Sequence, residues 1–73
     1  MPESARLIFA RNLRQRREEM GLSQEGLASR AGVHRTYVGA VERAEVNVSI
    51  DNLERLAQAV DVPLSTLIGP AIG

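Results

Sequence analysis

Apolar positions along this chain recur at helical rather than strand spacing. Leu7, Ala10, Leu13 and Met20 share one stripe with Arg17, which predicts a first helix starting near residues 2–4, where Pro2 is tolerated, and ending by Met20, before Gly21. Leu27, Ala28 and Ala31 form the stripe of a second helix over 23–31. Ser23 is its N-cap, because its hydroxyl can accept from a free backbone N–H of the first turn. At about 13 Å this helix is too short to hold alone, so neighbours must pack its stripe. Gly32 can take the positive φ that reverses the chain into a third helix over about 34–43, with Val38 and Val41 facing inward. Ser49 is placed to cap a fourth helix, about 50–60, whose Ile50, Leu53, Leu56, Ala57 and Val60 are expected to close the core. Pro63 suits the first turn of a short fifth helix ending by Ile68, and Gly69, Pro70 and Gly73 make the tail a frayed end.

The offsets around Gly32 carry more information than the helices themselves. Ala28 stands four residues before it, Val38 six after and Val41 nine after. A small residue then falls where two helices cross, and branched residues fall inside their elbow. Any small bundle shows apolar periodicity, and a plain helical hairpin is the alternative reading. The small residue, the glycine and the two valines together are the grammar of a helix-turn-helix spanning about 23–43.

The stretch GLSQEGLASRAGVHRTYVGAVE, residues 21–42, resembles the Cro and phage-repressor type of helix-turn-helix domain. HRTYVGAVE with the following NVSIDNL is similar to the controller proteins of restriction-modification systems. The likeness runs over about 13–68 and implies an all-α, five-helix, lambda-repressor-like fold. It also implies Glu42 as the partner of Arg17, the one charge on the first helix's apolar stripe, in a salt bridge tying that helix to the third. Three positions depart from the family pattern. Gly26 stands where Glu would complete a capping box with Ser23, so the second helix should start less firmly. Ala44 stands where Gly is common; a left-handed Ala would cost about 1–2 kcal/mol, so the third helix is expected to end differently. Val46 stands where relatives often carry an Arg directed at DNA, which with Glu45 makes the loop less attractive to phosphate.

In a helix-turn-helix the first turn of the second helix enters the major groove. Arg35 is therefore the leading candidate to read guanine through O6 and N7, and Thr36 can offer a hydroxyl to a base or a methyl to thymine. Tyr37 either hydrogen-bonds DNA or braces the helix. Ser23 and Gln24 start a helix whose dipole and free N–H groups favour a phosphate, and Gln24 either touches backbone or braces a recognition side chain. His34 is a cap or phosphate neighbour, and Arg43 complements the helix dipole and can reach phosphate. Asn47 and Ser49 are further phosphate donors, Ser49 with a cap role as the alternative. Gly39 and Ala40 suggest close approach to DNA or to a packed neighbour. Arg6, Arg11, Arg14 and Arg16 read as a solvated helix face from which one or two could reach phosphate.

Seventy-three residues allow one domain, 1–73, near the lower limit at which an apolar core suffices without staples. The absence of cysteine removes disulfides and thiolate metal sites, and the expectation is a cytoplasmic protein. No apolar run reaches the length of a membrane span. Net charge is zero, but residues 1–43 hold eight Arg against five acids and residues 44–73 one Arg against four acids, so the halves carry +3 and −3. Every cation is Arg, which suits bidentate contacts and equally a GC-rich genome. One His, no Cys and no clustered carboxylates or phosphate-cradling loop leave no enzyme chemistry to assign, and no metal, cofactor or small-molecule ligand is implied. Leu64, Leu67, Ile68 and Ile72 are more apolar surface than a short terminal helix needs, and part of it is assigned to a two-fold dimer interface, with core packing as the alternative. The expectation is a homodimeric regulator of transcription on a pseudo-palindromic double-stranded DNA operator, most like a controller protein. A phage repressor, a toxin-antitoxin regulator or a protein-interaction module on the same scaffold are the alternatives.

Overall fold

Leu13, Leu27, Val38, Val41, Leu56, Val60 and Leu67 are the largest fully buried side chains, and they come from five helices. A computed structural model describes residues 4–69. In it α1 spans Ala5–Glu19, α2 Gln24–Ala31, α3 Arg35–Glu42, α4 Ile50–Ala59 and α5 Leu64–Ile68, with no strand among the described residues. Helix α2 packs against α3 and α4, and α1 packs against α3 and α5. The core therefore fills the space enclosed by α1, the α2–α3 pair and α4, with α5 closing one end. None of these helices is long and apolar enough to cross a membrane.

Serine and histidine side chains start four of the helices. The hydroxyls of Ser4, Ser23 and Ser49 accept from the backbone N–H groups of Leu7, Gly26 and Asn52, and the His34 ring accepts from Thr36 N–H. Ser23 keeps its half of the capping box although Gly26 has no side chain to return a bond. Pro63 is the N-cap of α5 rather than a residue of its first turn. Pro2, and Pro70 to Gly73 with Ile72 among them, lie outside the described residues.

The ends of α1 to α4 share one solution. At Gly21, Gly32, Ala44 and Asp61 the chain turns left-handed, with φ of 70°, 72°, 57° and 58°. The N–H of the following residue then reaches back to a carbonyl five positions earlier: Leu22 to Arg17, Val33 to Ala28, Glu45 to Ala40 and Val62 to Ala57. These bonds satisfy carbonyls that a helix end leaves open. The expectation that α3 would end differently at Ala44 is thus corrected. Alanine takes the strained conformation because the 2.9 Å bond from Glu45 N–H to the Ala40 carbonyl depends on it.

Two apolar assignments also change. Ile50 is 68% exposed and Leu7 49% exposed, so neither closes the core, whereas Phe9, absent from the expected stripe, is buried. Helix α1 meets both α3 and α5, and Phe9 turns inward beside Ala10 and Leu13 of the expected stripe while Leu7 is left outside.

Replacing Ala44 by Gly should remove about 1–2 kcal/mol of left-handed strain against about 0.4–1 kcal/mol of added chain entropy in the unfolded state. The expected net is a melting temperature higher by a few degrees, about 4–8 °C per kcal/mol gained. An unchanged or lower melting temperature would show that Ala44 holds its turn without strain.

Candidate nucleic-acid interface

The helix-turn-helix elbow is held from inside by valines and from outside by one carboxylate. Val38 and Val41 are buried against Leu27, Ala28 and the rest of the core. At the end of α3 the Glu42 carboxylate accepts from Arg17 Nε at 2.7 Å, from Arg17 Nη2 at 3.1 Å and from Gln24 Nε2 at 3.1 Å. Arg17 Nη1 donates to the Leu22 carbonyl at 2.8 Å. The planar fork of Arg suits this bidentate grip, which a lysine could not make. The side chains of Arg17 and Glu42 are only 11% and 3% exposed. The Arg17 guanidinium is held above its ordinary pKa chiefly by the hydrogen bond to Glu42; burial opposes this, and the charges of Glu42 and Glu18 add to it. Because the folded value is raised, the contribution of Arg17 is lost only when pH climbs through that already strongly alkaline value. α1, α2 and α3 thus meet at Glu42, where Gln24 donates while remaining exposed at the start of α2.

The outer side of the elbow is a concavity lined by Ser23, Gln24, Arg35, Thr36, Gly39 and Arg43. His34, Arg35 and Thr36 are exposed at the first turn of α3. His34 Nδ1 lies 2.7 Å from Thr36 Oγ1 and accepts from Thr36 N–H at 3.2 Å, so the ring both caps the helix and holds the threonine hydroxyl. Tyr37 is half-buried, and its hydroxyl accepts from Asn52 Nδ2 at 3.2 Å. That contact braces α3 against α4 and takes Tyr37 away from the concavity. Gly39 is buried, and the groups that cover it are Arg43 Nη1 and Gln24 Oε1, within 3.1 and 3.5 Å of where a Cβ would stand. The space left by the missing side chain is therefore filled by the protein itself. Ala40 is half-buried.

Beyond α3 the loop alternates, with Val46 and Val48 half-buried and Asn47 and Ser49 exposed. Val46 and Val48 pack against the core, Asn47 Oδ1 accepts from Arg6 Nη2, and the Ser49 hydroxyl caps α4. Arg6 and Asn47 engage each other across the fold. Arg43 Nε donates to Glu45 at 2.9 Å.

The expected dimer residues separate. Leu67 is 1% exposed and belongs to the core, so it presents no surface; Leu64 is half-buried on the same core, and Ile68 is 44% exposed. Other polar contacts gave no signal in the sequence. Asn12 Nδ2 donates to the carbonyls of Leu67 at 2.9 Å and Gly69 at 3.1 Å, clamping α5 to α1. Arg16 and Arg30 donate to the carbonyls of Val60 and Ala59 at 2.9 and 2.8 Å. Both sit at the negative end of α4, where a cation is favoured, and Arg16 is accordingly not part of a solvated face.

Comparison with known proteins gives a consistent picture. The family model described as helix-turn-helix matches residues 13–67. The chain is similar to control protein C.BamHI of Bacillus amyloliquefaciens, 39% identical over 69 residues, which are 93% of this chain and 85% of that protein. Among solved structures it is similar to the hypothetical transcription factor NHTF from Neisseria, with a TM-score of 0.91, 40% identity and coverage of 97% of this chain and 84% of the other. It spans 64% of the full length of a Neisseria meningitidis hypothetical transcription factor. It is also similar to the restriction-modification controller protein C.AhdI from Aeromonas hydrophila, with a TM-score of 0.82, 45% identity and coverage of 85% and 94%.

Breaking the Arg17–Glu42 pair from one side should be costly, because the remaining charge stays buried. Arg17→Met and Glu42→Leu are each expected to lower unfolding free energy by about 3–5 kcal/mol in urea titrations, whereas the double replacement should recover much of the loss. Simple addition of the two single losses in the double variant would mean that the charges act independently.

Proposed function

The chain belongs to the helix-turn-helix family, and from that premise we propose that it is a DNA-binding regulator of transcription, of the restriction-modification controller type. The observation that carries this reading is the division of α3 into two faces. Val38 and Val41 are fully engaged in the core, Glu42 is gripped by two neighbouring helices, and Arg35 and Thr36 are left exposed at the leading turn. A duplex can admit that turn in its major groove without disturbing any buried contact. Arg35 reads guanine, Thr36 contributes its methyl group to a thymine while His34 holds its hydroxyl, and the start of α2 at Ser23 faces a phosphate through its free N–H groups.

The protein acts as a two-fold homodimer, placing two α3 helices in successive major grooves about 34 Å apart on a pseudo-palindromic operator. Ile68, with the apolar recess beside it lined by Phe9, Val41, Val48 and Leu53, supplies the surface for the partner in place of Leu67. The similarity to proteins named as controllers supports control of a restriction endonuclease gene, by activation at low occupancy and repression when a second dimer binds.

A gel-shift titration on the DNA upstream of its own operon should give two successive shifted species, and Arg35→Ala should cost about 1–3 kcal/mol of binding with relaxed preference at one base pair per half-site. The absence of any sequence-specific shift would refute the regulatory reading. Ile68→Glu should move sedimentation toward the monomer at concentrations where the parent is dimeric; an unaltered profile would place the dimer interface elsewhere.

A further inference from the structure

The last turn of α3 carries an arrangement that helix capping does not require. Arg43 runs back along the helix instead of away from its end, so that a Cβ on Gly39 would lie 3.1 Å from its Nη1 and 3.9 Å from its Cζ. Its Nε donates to Glu45 Oε1 at 2.9 Å, and both side chains are more than half exposed, 60% and 57%. A pair so open to water adds little to stability. Its effect is directional. With Nε held by the carboxylate, Nη1 is turned over Gly39, into the concavity that also holds Arg35 and Thr36. Val46 in the following loop packs on the core and sends no charge there.

We infer that Arg43 is a second base-reading side chain, laid across Gly39, and that Glu45 is its positioning residue. This rests on α3 being the helix that enters DNA. A guanidinium free to swing meets phosphate on any sequence. One fixed at Nε presents its remaining donors toward paired acceptors such as guanine O6 and N7. The carboxylate of Glu45 adds a repulsive element. It lowers affinity for every duplex, while the fitted contact restores binding on the right one, and discrimination is a difference of affinities.

The test uses the full chain and two duplexes, one selected from a random library by the unaltered protein and one scrambled, with affinities from fluorescence anisotropy and folding from thermal melts. Gly39→Ala introduces a Cβ where Nη1 lies, in a helix interior that favours alanine. It should melt no lower than the parent, yet lose about fivefold or more in the ratio of specific to scrambled affinity. Glu45→Ala should lose the ratio similarly while gaining affinity for scrambled DNA. Glu45→Gln should show the same gain but keep most of the ratio, because its amide oxygen still accepts from Nε. If Arg43→Ala weakens both duplexes by the same factor, or if Gly39→Ala keeps the full ratio, Arg43 does not read bases and the inference is overturned. Failure of the unaltered chain to select any duplex would overturn the regulatory reading as well, and that outcome is distinct from equal losses in the Arg43 variant.

Discussion

Glu42 accepts hydrogen bonds from Arg17 of α1 and from Gln24 at the start of α2, and that convergence lets an eight-residue α3 hold a fixed attitude. A helix this short has little stability of its own. Apolar packing at Val38 and Val41 resists its withdrawal from the core, but branched side chains permit some rotation about the helix axis. A bidentate pair with both side chains almost wholly buried does not. The attitude of the helix that carries Arg35 is therefore set seven residues away, at Glu42 on the same side of α3.

The polar contacts behind this face repeat the same device. Arg16 and Arg30 reach across from α1 and α2 to the terminal carbonyls of α4, and Asn12 reaches from α1 to the carbonyls of Leu67 and Gly69. In a chain of this size the apolar core is small, and long side chains capping neighbouring helix ends add connections that the core alone cannot make. The left-handed turns at Ala44 and Asp61 serve the same end from within the backbone, by closing helices where glycine is not available.

Much of the architecture was legible because it rests on local chemistry. Ser23 and Ser49 announce helix starts, Gly21 and Gly32 announce stops, and the valines around Gly32 announce an elbow. What was not legible depends on which neighbour a face meets. Leu67 and Ile68 are adjacent and equally apolar, yet one is core and the other surface, since a five-residue helix is too short for periodicity to separate its faces. Periodicity along the ten-residue α4 predicts Ile50 in the core with Leu56 and Ala57, yet Ile50 opens the helix and is 68% exposed. For Tyr37 the sequence leaves two roles open, and its contact with Asn52 depends on how α4 lies against α3. Arg16 reads as solvated in the sequence because nothing local signals a carbonyl 44 residues away. The cover over Gly39 could not be read either, because it depends on which way Arg43 lies.

Asn12 fastens α5 to α1, and Arg17 fastens α1 to α3. Ile68 and Arg35 are consequently mounted on one stiff frame, like the two tips of a caliper leg with no joint between them. Two such frames joined through the α5 end would measure a set distance and could not stretch. One extra base pair at the centre of the site displaces the second half by about 3.4 Å along the axis and turns it by about 34°. A frame of this kind accommodates such a change only by distorting the duplex.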